Sequence, residues 1–292
     1  MLALAGTGAK AHIYLAEKES DGTHVAIKHI VCDGNRDESA IRQVMAEHEA
    51  ANRFTHPNLR RSLEIHFKKK WMKTQEVILV MEYVDGDSLE SFSRNRDIRD
   101  VTGLFCQTAL GLRAMHQIGV VHADLKPGNI LVSMDGQVKI IDFGQSCPIG
   151  TAKRKIQGTL DYIPPEQVHR EELDARCDVF SLGATMYFVL TGHPIATEMN
   201  QQLSGDHAAG LLGRKPRRGA AWDNLDLPPS LTKLIEDCCQ PNRDDRPRDM
   251  GTVLSRLELV QASLERNPPA HQMPDGLDDT RIAPAEIPFD DD

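Results

Sequence analysis

The residues best suited to chemistry sit in one stretch, Val121-His122-Ala123-Asp124-Leu125-Lys126-Pro127-Gly128-Asn129-Ile130-Leu131, where an acid, a base and an amide fall within six positions. Thirteen residues after Asn129 comes Asp142-Phe143-Gly144, directly behind the run Val138-Lys139-Ile140-Ile141. Phosphoryl transfer from ATP needs such a set. One carboxylate orients the attacking hydroxyl, a cation neutralises the phosphate, and two oxygen ligands hold magnesium against it. Near the start, Gly6-Thr7-Gly8-Ala9-Lys10-Ala11 offers glycines whose missing Cβ lets backbone N–H groups approach phosphate oxygens. Alone, that segment also fits a dinucleotide-binding turn, with Asp33 as the acid roughly twenty residues further on. The first forty residues leave both readings open.

The elements that must position these residues follow from periodicity and turn signals. Residues 2–15 and 25–31 read as strands around the turn Ser20-Asp21-Gly22-Thr23, and 37–53 carries apolar residues at helical spacing. Residues 77–84 form a continuous apolar run short enough for a buried strand, broken by Asp85-Gly86-Asp87. Beyond about residue 88 the pattern is mainly helical. Helices are predicted over 100–117, from Asp178 to a stop at Thr191-Gly192 with Pro194 beyond, and over 231–239 and 250–264. Short strands at 129–132 and 138–141 flank the turn Asp135-Gly136. The expected organisation is a small lobe over 1–84, a large lobe over 85–266, and a disordered acidic, proline-rich tail over 267–292 that could serve a docking or autoregulatory partner. The basic run Arg214-Lys215-Pro216-Arg217-Arg218 reads as a solvated loop rather than a partner patch.

Composition narrows the function. The 292 residues are 40% hydrophobic and 26% charged, with a net charge of −9, which argues against a nucleic-acid binder, since that needs a basic face. The longest apolar run, 179–190, suits a buried helix better than a membrane span, and the first residues lack the charged region of a signal peptide. The six cysteines are scattered without paired spacing, which predicts reduced thiols and a cytoplasmic protein. Cys147 is expected to be an incidental thiol, with redox activity as the alternative.

Taken together, these motifs resemble those of the protein kinase family, in particular its bacterial-type serine/threonine members, over residues 4 to 264. The resemblance implies an α+β, two-lobed kinase fold, with ATP and Mg²⁺ in the cleft and Ser or Thr hydroxyls of protein substrates as acceptors. It assigns roles position by position. Asp124 is the catalytic base, with Lys126 and Thr159 beside it, and Asn129 and Asp142 are the metal ligands. Lys28 of Val25-Ala26-Ile27-Lys28 holds the phosphates. Its helix partner is Glu47, ten positions before Pro57, with Glu49 as the competing choice. Gly6 and Gly8 cover the phosphates. Ile13, Ala26 and Leu131 enclose the adenine ring, Met81 is the gatekeeper, and the backbone of Glu82 and Val84 meets the adenine edge. Glu166 is expected to pair with Arg246, and Asp178 to accept from the catalytic-loop backbone. Asp124-Leu125-Lys126-Pro127-Gly128-Asn129 and Gly158-Thr159 resemble the serine/threonine branch.

Four departures from the family pattern stand out. Ala123 replaces the arginine that normally receives a phosphorylated activation loop, which predicts little dependence on such phosphorylation, at Ser146 or Thr151 for example. Ala11 replaces the third glycine. Ala51 and Ser62 stand where larger apolar groups usually build the internal spine. Met1 lies very close to the glycine loop, so the first strand is short. The rival readings are a partner-activated or catalytically silent scaffold, a small-molecule phosphotransferase and, more distantly, a dinucleotide-dependent oxidoreductase.

Overall fold

The computed structural model describes residues 3–7, 11–32, 38–71, 73–94, 96–195, 197 and 227–266. Gly8, Asp33, the run 214–218 and the tail 267–292 lie outside the described residues.

The small lobe is one five-stranded antiparallel sheet: β1 (Ala3–Thr7), β2 (Ala11–Glu17), β3 (His24–Val31), β4 (Ser62–Lys70) and β5 (Lys73–Glu82), in the order β1-β2-β3-β5-β4. The run read as one strand over 2–15 is thus two. Strand β4, absent from the sequence reading, is an edge strand whose apolar Leu63, Ile65 and Phe67 alternate with Glu64, His66 and Lys68 and whose residues 66–70 are all exposed. Register places Lys28 opposite both Ile13 and Leu79, and Ala26 opposite Met81. Alternation then puts Lys28 on the face shared by Ala26 and Ile30, towards the core of Val44, Val77, Leu79 and Met81.

Helix α1 (Glu38–Ala51) lies on that face. Its buried stripe runs Val44, Glu47, Ala51, at three- and four-residue spacing, while Glu49 points to solvent. Val44 packs into the small-lobe core, whereas Ala50 and Ala51 join Phe54 and Phe143 in the large one. One helix therefore touches both cores.

The large lobe is mainly helical. Helix α2 (Leu89–Ser93) is a short element. Helix α3 (Ile98–Gln117) is started by Asp97, whose carboxylate accepts from Arg99 N–H. Helix α4 (Pro165–Val168) follows, and then α5 (Ala175–Thr191), which is buried on nearly every side, as expected of a helix apolar all round. It begins three residues before Asp178 because Asp174 caps it, and ends at Gly192 with φ of 72°. Gly183 lets α6 (Pro229–Cys238) approach: a Cβ there would lie 2.6 Å from Cys238 Cβ. Helix α7 (Met250–Arg266) packs along α3. Among the described residues no helix is long and apolar enough to cross a membrane.

Three short strands, β6 (Gly86–Ser88), β8 (Ile130–Ser133) and β9 (Val138–Ile140), form a sheet below the small lobe. Gly86, read as part of a break, belongs to β6, where any Cβ would collide with the Val132 carbonyl. Asn129 sits in a tight turn, Pro127–Asn129, just before β8 rather than within it. Strand β7 (Val120–Val121) pairs with β10 (Cys147–Pro148), tying the segment after Asp142 to the one before Asp124.

Candidate active site

Lys28 and Glu47 meet across the small lobe, Nζ to Oε2 at 2.7 Å, and Lys28 Nζ also stands 3.8 Å from Asp142 Oδ1. Burial works against the charge on Lys28, yet Glu47 and then Asp142 outweigh it, and its pKa rises above the ordinary lysine value. Of the two candidate helix acids, the structure selects Glu47.

Asp124, Lys126 and Thr159 form a closed set. Lys126 Nζ donates to Thr159 Oγ1 at 2.8 Å, and the Thr159 N–H and hydroxyl both donate to Asp124 Oδ1, at 3.1 and 3.3 Å. Asn129 Nδ2 donates to the Asp124 carbonyl at 2.8 Å, which leaves the Asn129 side-chain oxygen without a protein bond in this set. Gly158 precedes Thr159 with φ of 126°, and a Cβ there would press on Gln167 at 3.1 Å. Asp124 and Asp142 occupy opposed environments. Burial raises the Asp124 carboxyl above the usual range despite Lys126. Burial also pushes Asp142 up, but Lys28 and then Arg60 more than offset it, and its pKa ends below the usual value.

The loop carrying Asp124 is anchored from beneath. Asp178 accepts from His122 N–H (2.8 Å), Ala123 N–H (2.9 Å) and His116 Nε2 (2.8 Å). Ala123 and Asp142 both have left-handed backbones, φ of 60° and 61°, conformations that non-glycine residues hold only when the surroundings impose them. Glu166 and Arg246 form a two-pronged buried pair, at 2.7 and 2.8 Å.

Residues 2–255 match the protein kinase domain. The chain belongs to this family. Its relatives include the serine/threonine-protein kinase PknA of Mycobacterium tuberculosis, 29% identical over 98% of this chain and 65% of that protein. The probable serine/threonine-protein kinase PknB of Bifidobacterium longum is 32% identical over 81% of this chain and 35% of that protein. The serine/threonine-protein kinase Aurora-1 of Arabidopsis thaliana is 33% identical over 65% of this chain and 64% of that protein. The chain therefore spans less than two thirds of the length of these relatives.

Within this kinase domain, Ile13, Ala26, Met81 and Leu131 fall on β2, β3, β5 and β8, and Met81 is fully buried beside Ala26. The Glu82 N–H is already donated to the Arg61 carbonyl (3.0 Å), and its carboxylate is taken by Lys139 (2.8 Å). Gly6 lies in β1, with its backbone described. Cys147 is half-buried, and burial raises its thiol, which disfavours the thiolate a redox role needs. Three residues escaped the sequence reading. Arg60 Nη2 bonds Glu47 Oε1 at 2.8 Å, Lys153 Nζ bonds the Gln145 carbonyl at 2.8 Å, and Gln167 Nε2 bridges the carbonyls of Ala123 (2.9 Å) and Gln157. Only Arg60 carried a signal, a charged residue between His56-Pro57-Asn58 and an apolar-leaning strand.

Proposed function

We propose that the chain is an active serine/threonine protein kinase that transfers the γ-phosphoryl group of ATP to Ser or Thr hydroxyls of protein substrates. The observation that carries this reading is the closed Asp124–Lys126–Thr159 set. A carboxylate oriented by one hydroxyl and one N–H lies beside a cation that shares the same hydroxyl. Asp124 would accept the substrate hydroxyl's proton while Lys126 balances the charge on the phosphoryl oxygens. Lys28, held by Glu47, would bind the α- and β-phosphates. Ile13, Ala26, Leu131 and Met81 would enclose the base, with the backbone of Glu82 and Val84 along its edge and Gly6 and Gly8 over the phosphates. Most of the rate would come from positioning and charge stabilisation, since little covalent chemistry falls to the protein.

A magnesium ion at such a site needs only one or two protein oxygen ligands, because waters and phosphates complete its shell. Asn129 and Asp142 fit that requirement: one keeps a free amide oxygen, and the other is a carboxylate held ionised and 40% exposed to the cleft. Bound there, the ion would neutralise developing phosphate charge.

The boundaries 1–84 and 85–266 are proposed for the two lobes. Ala123 supplies no cation for an activation-loop phosphate, which supports activity without loop phosphorylation. A cytoplasmic location is supported by six cysteines that form no disulfide among the described residues.

The test is transfer of labelled phosphate from ATP with magnesium, onto the chain and a generic basic protein, beside Asp124→Asn. Label on Ser or Thr that vanishes in the variant supports the proposal. ATP binding without transfer to any protein overturns it in favour of the scaffold reading, and transfer only to small molecules favours the phosphotransferase.

A further inference from the structure

Glu47 carries two cations, one on each oxygen. Lys28 takes Oε2 and Arg60 takes Oε1. The Glu47 side chain is 2% exposed and that of Arg60 11%. The backbone of Arg60 is fixed independently. Its N–H donates to the Ile140 carbonyl (3.0 Å), the Ile140 N–H donates to the Asn58 carbonyl (2.8 Å), and Leu59 bridges Ile140. Ile140 ends β9, the strand that delivers Asp142. Arg60 thus joins α1 to the strand leading to the cleft carboxylate.

Apolar packing at the same place is thin. Glu47, Ala51, Arg60, Ser62, Leu79 and Phe143 line a narrow crevice there, too small to admit a water molecule. Side chains as small as those at 51 and 62 offer few atoms for dispersion contact between α1 and β4. Ala51 ends in a methyl, and the Ser62 hydroxyl is taken by His48 Nδ1 at 2.7 Å. An ionic contact can supplement that packing in fixing the angle of α1. A guanidinium can do so, because its planar fork holds a carboxylate in one orientation.

We infer that Arg60 is a positioning residue: it clamps α1 in the orientation that presents Glu47 to Lys28, replacing by ionic contact the apolar packing that Ala51 and Ser62 do not provide. This deepens the proposed function and rests on it, since it treats the Lys28–Glu47 pair as part of the nucleotide site. The clamp acts on Glu47 and through it on Lys28, and it places no group on the substrate. It also removes the ground for expecting a partner to complete the spine.

The test compares four full-length proteins: the parent, Arg60→Leu, Ala51→Met, and the two combined. Methionine at 51 suits a helix and fills irregular gaps. Phosphate transfer is read as kcat and KM for ATP and protein, and hydrogen exchange is read over residues 38–51. The clamp predicts that Arg60→Leu lowers kcat about tenfold or more while KM for the protein substrate changes less than about threefold. Exchange should quicken in α1 alone, and Ala51→Met should restore both readouts. A merely structural role would lower Tm and quicken exchange throughout the small lobe, without rescue of kcat. Parental kcat and exchange in Arg60→Leu, or no rescue by Ala51→Met, overturns the inference. If the parent itself transfers no phosphate, the proposed function fails, and the exchange comparison alone still decides for or against the clamp. If Arg60→Leu has no cooperative melt, Arg60→Lys and Arg60→Gln carry the same readouts, with lysine expected to retain more activity than glutamine.

Discussion

Glu166→Ala should impair folding far more than chemistry. Arg246 has five N–H donors, and every one has an acceptor. Nε bonds the Gln240 carbonyl (2.7 Å). Nη1 bonds Glu166 Oε1 (2.7 Å) and the Arg176 carbonyl (3.0 Å). Nη2 bonds Glu166 Oε2 (2.8 Å) and the Pro241 carbonyl (3.0 Å). The guanidinium is fully buried and lies 5.0 Å from the Phe180 ring centre. Alanine at 166 strands two of those donors and leaves a buried cation without its counter-charge. Breaking such a pair from one side destabilises by about 3–5 kcal/mol. In a domain of this size each kcal/mol moves Tm by about 2–4 °C, so the expected fall is about 6–20 °C. Thermal unfolding followed by far-UV circular dichroism measures it, and kcat per folded molecule well below the transition should stay within about threefold of the parent. Replacing both partners, as Glu166→Leu with Arg246→Met, is often neutral for a simple buried pair. Here it should not rescue, because the carbonyls of Gln240, Arg176 and Pro241 would lose their donor as well. A Tm within 2 °C of the parent for Glu166→Ala would refute the reasoning, as would full rescue by the double replacement.

Replacing Ser146 and Thr151 together by alanine should leave kcat/KM nearly intact, since Ala123 offers no cation to a loop phosphate; a loss of about a hundredfold would sink this. The acid limb of the kcat/KM profile should lie above the ordinary carboxylate range, because Asp124, the proposed base, has a raised pKa and would have to be ionised to accept a proton. A limb at or below the usual aspartate value would show that another group controls it. Asp124→Asn should be at least as stable as the parent at neutral pH, despite being inactive. The sign follows from linkage: with its folded pKa raised, Asp124 binds more protons folded than unfolded, so its contribution turns destabilising as pH rises through the unfolded value. The stability difference should vanish at pH below that value, and urea denaturation at both pH values reads it. Asp178→Asn should slow turnover and lower Tm together, because the N–H groups of His122 and Ala123 would lose a charged acceptor; an unchanged kcat would contradict this.

The catalytic stretch was legible because its residues lie close together in sequence and its geometry is local. Asp124, Lys126 and Asn129 share one loop, and Asp142 follows a short strand that must pair beside it. Glu47 was legible from its distance to Pro57, and its burial from the Val44, Glu47, Ala51 spacing. What stayed hidden depends on residues far apart in the chain. Strand β4 carries alternating Leu63, Ile65 and Phe67, but its exposed edge and the lysines at 68–70 obscure it. The start of α5 was misplaced because a capping Asp174 outside the apolar run sets it. Arg60 and Gln167 are polar residues whose burial is decided by tertiary contacts with Glu47 and Ala123, and no local period marks them.

The two cleft carboxylates show how one small site could accommodate the proposed base, Asp124, and the proposed metal ligand, Asp142. Asp124 and Asp142 are both partly buried, and burial alone would raise both. They separate because the cations are unevenly shared. The charges of Lys28, 3.8 Å away, and of Arg60 lower the Asp142 pKa, while the Lys126 ammonium near Asp124 bonds Thr159 and only partly offsets the burial. A carboxylate that stays charged across the working range suits a cation, and one whose proton affinity is raised suits taking a proton from a hydroxyl. Arg60 enters this division twice, once by holding Glu47 against Lys28 and once by its charge on Asp142. Its loss would therefore disturb both the angle of α1 and the separation of the two acids, whereas a partner that only pressed α1 into place would restore the first and leave the second lost.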